Sequence, residues 1–208
     1  MWRYVEPIVL KIRGIDEKKI VNDLVENYRE LINPGDLCFD IGANRGRYSM
    51  AFSSLGAMVI AVEPQLKCAE KLKKIFTGNL SIKVIQKGLS DERGIMELYI
   101  CKDAPGISTF SEKYKINFPD YRYDKKEKVQ VVTLDDLIKE YGLPKYCKID
   151  VEGFEWKVLK GLTRPIPYVS IEAGRTEGET QRCRELMLSR GYEKYDFPGS
   201  KDLFFKRK

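Results

Sequence analysis

Leu37-Cys38-Phe39-Asp40-Ile41-Gly42-Ala43-Asn44-Arg45-Gly46 decides how the rest of the chain is read. An apolar run closes on an acid, turns through Gly-Ala-Asn-x-Gly and enters a helical pattern near Tyr48. The next apolar run, Met58 to Val62, closes on Glu63, 23 residues beyond Asp40. A glycine turn after one strand, followed by an acid at the tip of the next, describes a nucleotide cradle in an open parallel sheet. The glycines let backbone approach a ligand, and the second acid accepts hydrogen bonds from ribose hydroxyls.

The spacing also bears on which nucleotide is held. A dinucleotide loop reads G-x-G-x-x-G, which lays glycine backbone against a pyrophosphate. Here the pattern is D-x-G-x-x-x-G, with an acid in the mouth of the turn. A carboxylate there repels a pyrophosphate and suits a ligand that carries an ammonium and a sulfonium. The expectation is S-adenosylmethionine (SAM) rather than NAD or ATP. The plainer alternative is a structural strand-turn-helix corner, in which glycines only ease tight packing; Asp40 and Glu63 argue for the ligand.

Outward from this stretch, strands and helices alternate. Strands are predicted at Leu37–Ile41, Met58–Val62 and Ile82–Gln86, with helices at Arg47–Leu55 and Leu66–Phe76 between them. Strands separated by helices of this length imply a parallel sheet with right-handed crossovers. Upstream, Ile20, Leu24, Tyr28 and Leu31 give Ile15–Leu31 a helical period, ended by Asn33-Pro34-Gly35. Residues 1–34 are therefore read as an N-terminal helical extension of a single 208-residue domain.

The middle of the chain breaks the rhythm. Gly94–Cys101 and Lys128–Val132 alternate like strands, and between them Lys102–Lys126 is polar and aromatic, with Pro105, Gly106 and Pro119. A loop that long in a compact domain is usually functional or disordered. Its aromatics (Phe110, Tyr114, Phe118, Tyr121 and Tyr123) favour an ordered flap, over about residues 102–127, facing the active site. Beyond it a helix is predicted over Thr133–Tyr141, a strand over Tyr146–Ile149, a helix over Phe154–Leu162, a strand over Tyr168–Ile171 and a helix over Glu177–Arg190. Tyr192–Phe197 and Leu203–Lys206 read as a terminal hairpin. The expected fold class is α/β: a Rossmann-like, doubly wound, mostly parallel sheet with an antiparallel terminal strand and helices on both faces.

Composition excludes several chemistries. Charged residues make up 33% and hydrophobic residues 43% of the chain, an ordinary soluble balance. No run approaches the length of a membrane span and no signal peptide is visible, so a cytoplasmic location is expected. Five scattered cysteines with no C-x-x-C argue against zinc or a disulfide framework. Histidine is absent, so any general base is a carboxylate, a lysine, a tyrosine or water. A net charge of +6 permits anionic partners without demanding them, and the basic clusters at Lys67–Lys74, Lys125–Lys128 and Lys206-Arg207-Lys208 read first as solvated surface.

Four apolar runs close on acids: Asp40, Glu63, Asp150 and Glu172. Ligands of open α/β sheets bind outside the carboxyl ends of the strands, so the four would crowd one sheet edge. Such crowding raises carboxylate pKa values and suits holding a proton or a cation. Another use of Asp150, Glu152 and Glu172 is to bind a divalent metal; no further ligand spacing supports it, and no metal is expected.

Lys148-Ile149-Asp150-Val151-Glu152-Gly153-Phe154-Glu155, followed by Val158-Leu159-Lys160-Gly161, resembles the signature of FkbM-type SAM-dependent methyltransferases. The family's F-D-I-G-A-N-x-G turn is matched by residues 39–46 and its V-E-P by Val62-Glu63-Pro64. Gly88-Leu89-Ser90-Asp91 and Thr133-Leu134-Asp135 resemble further family segments, and the likeness spans about residues 36–175. By that resemblance Asp40, Gly42, Ala43, Asn44 and Gly46 surround the methionine part of SAM, Glu63 holds the ribose hydroxyls, and Gly88 and Leu89 lie at the adenine. Many SAM enzymes place an aspartate at that third position; here the contact would be through backbone. Asp150 sits beside the transferring methyl group, and the implied reaction is O-methylation of a hydroxyl on a small molecule or carbohydrate.

For a hydroxyl acceptor the candidates to take the proton are Asp150, then Glu172, then Lys148. Lys148 reads equally as a partner that satisfies neighbouring acids. Glu152 and Glu155 flank the start of the Phe154 helix, where negative charge is favoured; Glu155 is read as structural. Two further functions stay open from the residues: an RNA methyltransferase, which would need a basic groove with aromatics, and a SAM-binding protein without catalysis. Against the first, the chain has Asp150-Val151-Glu152-Gly153 where base-methylating enzymes carry a proline pair.

Overall fold

The computed structural model describes residues 16–172, 177–197, 200 and 202–208. Helix α1 (Glu17–Tyr28) is capped by the Asp16 carboxylate, which accepts from the Lys19 N–H. The earlier part of the expected N-terminal extension, residues 1–15, lies outside the described residues. The chain then forms β1 (Leu37–Ile41), α2 (Arg47–Ser54), β2 (Met58–Val62), α3 (Leu66–Ile75) and β3 (Ile82–Ile85). Next come β4 (Gly88–Leu89), β5 (Gly94–Ile100), β6 (Lys125–Val132), α4 (Leu134–Tyr141) and β7 (Tyr146–Ile149). Last are α5 (Glu155–Lys160), β8 (Tyr168–Ile171), α6 (Glu177–Ser189), β9 (Tyr192–Lys194) and β10 (Leu203–Arg207).

Seven strands make the main sheet, in the order β3-β2-β1-β7-β8-β10-β9. All neighbouring pairs from β3 to β8 are parallel, and β10 runs antiparallel to both β8 and β9. The last strand of the chain is therefore not the edge of the sheet: β10 inserts between β8 and β9. The chain builds outward from β1 through β2 to β3, then returns to β7 on the other side of β1. This reversal puts the crevice where an open α/β sheet binds its ligands between the carboxyl ends of β1 and β7.

Alternation along each strand divides the core in two. On β1, Cys38 packs with Tyr28 of α1, Phe52 of α2 and Leu72 of α3, whereas Phe39 and Ile41 pack with Leu137 of α4, Val158 of α5 and Met187 of α6. A period of two in the strands thus meets helices on both faces, as an α/β sheet requires. Helix α4 shows why its residues start where they do. Thr133 and Asp136 form a capping box, each side chain accepting from the other's backbone N–H.

Strands β4, β6 and β5 make a second, three-stranded sheet whose Leu98, Val129 and Val131 join the core on the α4 side. The hairpin between β5 and β6 encloses the expected flap. It ends at Asp124 rather than at residue 127, because β6 starts at Lys125 and pairs with β5 from Lys125 to Val131. Two short 3-10 turns, at Pro105–Ile107 and Tyr114–Asn117, order the flap. Its start is tied back by two backbone hydrogen bonds between Tyr99 and Thr109. Among the described residues no helix is long and apolar enough to cross a membrane.

Candidate active site

The turn after β1 is built so that two loops can touch. Gly42 has φ +84°, and a Cβ there would lie 1.8 Å from the carbonyl oxygen of Asp150, so only glycine lets the β1 and β7 loops lie side by side. The N–H groups of Gly42 and Ala43 both donate to the Val62 carbonyl, which welds the turn to the end of β2. Asn44 follows in the left-handed region at φ +46°. Gly46, at φ +73°, is the N-cap of α2, and its Cβ position is filled by Leu72 of α3 and by Phe76 just past its end.

This geometry aims the Asn44 N–H at Glu63. The Glu63 carboxylate accepts from Asn44 N at 2.8 Å and from Gln65 N at 2.9 Å. Burial pushes its pKa up to about 7, partly offset by those two N–H groups, and the charges of Asp40 and Asp150 push the same way as burial. Asp40 is also buried and accepts from the Ser49 hydroxyl at 2.5 Å. Its pKa rises to about 6, chiefly through desolvation. Asp40 stands beneath the turn and does not line the cleft; neither do Ala43 and Gly46.

The cleft itself opens to solvent beside this turn. Glu63, Asp150 and Glu152 make its acidic wall, with Gly42 and Asn44 between them. Gly88, Leu89, Leu98 and Phe110 give it an apolar wall. Gly88 is held to glycine because the edge of the Phe110 ring lies 2.6 Å from where a Cβ would stand. Glu172 is not in the lining, but one oxygen each of Asp150, Glu152 and Glu172 lie within 4.8 Å of one another. The sheet edge therefore does bring the acids of β7 and β8 together.

Lys148 points away from any role as a free amine. It is 1% exposed, and its Nζ lies 3.2 Å from Asp150 Oδ2 and 3.4 Å from Asp202 Oδ2. Burial alone would lower its pKa, but these two acids outweigh it and hold the ammonium protonated, above the usual lysine range. At neutral pH it has no lone pair with which to take a proton. Glu155, read from sequence as structural, accepts from the N–H groups of Val151 (3.0 Å) and Gly153 (3.1 Å) and so shapes the loop that follows Asp150.

Several residues of the cleft carry no sequence signal of their own. The flap supplies Pro105, Gly106, Ser108 and Phe110, and Gln65 Nε2 donates to the Pro105 carbonyl at 2.8 Å. Thr109 Oγ1 donates to the Glu152 carbonyl at 2.7 Å, and the Tyr114 hydroxyl donates to the Glu152 carboxylate. Glu152 has φ +56°, an uncommon backbone for a residue with a side chain. Next to it Gly153 lies so close under the Tyr114 ring that a Cβ would come within 2.2 Å of it. The aromatic richness of the flap was the signal that it packs; which atoms it would meet was not encoded locally.

A model of the methyltransferase FkbM domain matches residues 40–194. The chain belongs to the FkbM methyltransferase family. SAM is the methyl donor of that family, as the cradle after β1 led us to expect. A curated relative, the methyltransferase sdnD of Sordaria araneosa, is 27% identical over 80% of this chain and 81% of its own. Among solved structures the FkbM chain is similar to a precorrin-6y C5,15-methyltransferase of Geobacter metallireducens GS-15, with a TM-score of 0.53, 10% identity and coverage of 96% and 92% of the two chains. It is also similar to the magnesium protoporphyrin IX methyltransferase of Synechocystis PCC 6803, with a TM-score of 0.50, 10% identity and coverage of 92% and 79%. At such identities these two likenesses speak for the fold alone.

Proposed function

We propose that this FkbM methyltransferase moves a methyl group from SAM to a hydroxyl oxygen of a small-molecule or carbohydrate acceptor. The observation that carries the reading is the division of one cleft into unlike walls. Glu63, Asp150 and Glu152 offer oxygen acceptors to an ammonium, a sulfonium and a ribose diol, while Leu89, Leu98 and Phe110 offer an apolar slot to a purine. The Glu63 carboxylate has about four acceptor positions and its two backbone donors take two, so a diol finds the rest. The residues present therefore fit SAM. Gly42, Asn44, Glu63, Gly88 and Leu89 would hold it, with Asp40, Ala43 and Gly46 fixing the turn from behind.

When bound, SAM supplies a methyl carbon on a cationic sulfur that is open to in-line displacement. The protein's own part is alignment and the fate of one proton. Asp150 stands at the tip of β7 with its side chain 30% exposed, tethered at Oδ2 by Lys148, and Oδ1 would take the acceptor's proton. Glu172, within the same group of carboxylates, is the next station for that proton. Lys148 remains the charged tether. The flap, latched to Glu152 by Thr109 and Tyr114, borders the place of the acceptor.

The hydroxyl reading is preferred to RNA for a structural reason. In the basic stretch of β6, Lys125 pairs with Glu127 and Lys126 with Glu97, which offsets part of the positive charge that an RNA groove would need. All five cysteines are buried and free, which suits a reducing, cytoplasmic setting.

A thermal-shift comparison with SAM, S-adenosylhomocysteine (SAH), NAD and ATP tests the cofactor. A ligand at a hundred times its Kd adds about 2.7 kcal/mol, a rise of roughly 5–10 °C for a domain of this size. A rise with SAM and SAH alone, followed by methyl transfer to hydroxylated acceptors, is the expected result. Salt-dependent binding and methylation of RNA would replace this reading by the RNA one. Tight SAM binding with no turnover on any acceptor would favour a binding protein.

A further inference from the structure

Lys148 is shared by two carboxylates that do different things. Asp150 lines the cleft, whereas Asp202 does not; it lies at the entry to β10, which is separated from β7 by β8. Both reach the same ammonium, at 3.2 Å and 3.4 Å, and the Asp202 side chain is only 12% exposed. The other groups around Lys148 are phenols and a more distant acid. The Tyr48 ring is 5.1 Å from Nζ, and Tyr28 and Asp40 also feel its charge.

One acid would be enough to pair a buried lysine, and a second adds a desolvation cost of its own. The second acid changes the charge of the group. Asp150, Lys148 and Asp202 together carry a net charge of −1; with Asp150 alone, the lysine would make a neutral pair. We infer that Asp202 is a positioning residue of the active site. By sharing Lys148 it leaves the Asp150 carboxylate with an uncancelled negative charge toward the cationic sulfur of the cofactor and the acceptor's hydroxyl. This inference rests on the placement of SAM proposed above, and it makes the C-terminal hairpin a working part of the cleft as well as a closing element of the sheet.

The test compares SAM with SAH, which lacks the methyl group and the positive charge at sulfur. The association constants of both are measured calorimetrically at pH 8 for the full chain and for Asp202→Asn, Asp202→Glu and the double variant Lys148→Met/Asp202→Asn. Losing one charge near the cleft is expected to lower the SAM-to-SAH ratio on the order of three- to tenfold in Asp202→Asn. Asp202→Glu keeps the charge and is expected to keep the ratio. The double variant leaves Asp150 as the lone charge, a net −1 again, and its ratio is expected to return to that of the unaltered chain.

A role confined to stability would move SAM and SAH together, so an unchanged ratio in Asp202→Asn overturns the inference. Should that variant not fold, the double variant decides. If Asp202 were electrostatically silent, removing Lys148 would raise the ratio well above that of the unaltered chain, and such a rise overturns the inference. An unaltered chain that binds neither compound would sink the proposed function, and this inference with it; equal losses in Asp202→Asn sink the inference alone.

Discussion

The Glu63 carboxylate accepts a 2.8 Å hydrogen bond from the backbone N–H of Asn44, a residue held at φ +46°. The bond joins the tip of β2 to the turn after β1, so the residue expected to read the ribose is also a strut of the cradle. Glu63→Gln keeps the size and one acceptor oxygen but loses the charge. Hydrogen bonds to charged groups contribute about 1.5–3 kcal/mol, so SAM and SAH affinities are both expected to fall roughly 10- to 100-fold. Calorimetric titration of both ligands checks it; an unchanged Kd would remove Glu63 from the site.

The pH dependence of that affinity follows from the same burial. With a pKa raised to about 7, Glu63 is largely protonated in the free protein below neutrality and must lose the proton to serve as a charged acceptor. Affinity for SAM is expected to fall as pH drops below about 7, approaching tenfold per unit, with proton release on binding. Titrations in two buffers of different ionisation heat measure the protons directly.

Stability of the ligand-free protein should run the other way. Burial raises Glu63 and Glu155 to about 7 and Asp40 to about 6. The folded state then binds more protons than the unfolded chain between about pH 4 and 7, and stability declines as pH rises through that window. Asp91 and Asp136, held below the usual range by their lysine and arginine partners against desolvation, act only at more acid pH, where their contribution is lost. Calorimetric melting without ligand is expected to give a lower Tm at pH 8 than at pH 5.5. A Tm that rises over this interval would mean that these acids are not buried as described.

Gly42→Ala places a methyl group 1.8 Å from the Asp150 carbonyl and forces φ +84° on a residue that resists it. Because the obstacle is backbone, the two loops must part. The change is expected to cost about 2–4 kcal/mol, lowering Tm by roughly 5–15 °C, and to abolish SAM binding in whatever remains folded. Gly153→Ala forces the same φ of +84° and drives a methyl group against the root of the buried Tyr114 ring, 2.2 Å from Cδ2. Its expected signature is a looser flap, read as faster proteolysis within residues 102–124, together with a lower Tm.

Helix α1 is predicted to matter to the core although it lies before the first strand. Tyr28 is buried against Phe52 and Phe197, and its hydroxyl meets that of Tyr146 at 3.1 Å, which in turn meets Ser170 Oγ at 2.5 Å. Tyr28→Ala removes a large buried aromatic and orphans part of that chain of hydroxyls. A loss of about 3–5 kcal/mol is expected, or roughly 6–20 °C in Tm. A loss under 1 kcal/mol would show α1 to be an appendage.

Local pattern carried most of the main sheet. β1, β2, β7 and β8 begin and end where their apolar runs do, because a strand buried on both faces must be apolar throughout. β6 was under-read by three residues: Lys125, Lys126 and Glu127 look like loop, yet pairing with β5 supplies their backbone hydrogen bonds whatever their polarity. β4 has only two residues and offers no period to detect. Helix α5 is shorter at both ends than its apolar pattern: Glu155 draws the preceding N–H groups into the loop, and Gly161 caps the far end.

The positive-φ glycines of the turn and the acids that close the strands could be read in advance because their chemistry is local. A glycine that must take positive φ and an acid that ends a strand are set by a few consecutive residues. So were the glycine turn, the acid of β2, the fold class and the family. What the tertiary structure decided is who meets whom across long separations. Gln65 finds Pro105, Tyr114 finds Glu152 and Gly153, and Lys148 finds Asp202, each fixed by where loops land after the sheet has closed. A charge in a sequence announces only itself. Whether Lys148 is a base or a tether depends on the two carboxylates that packing brings within 3.4 Å of it and on the water that packing removes.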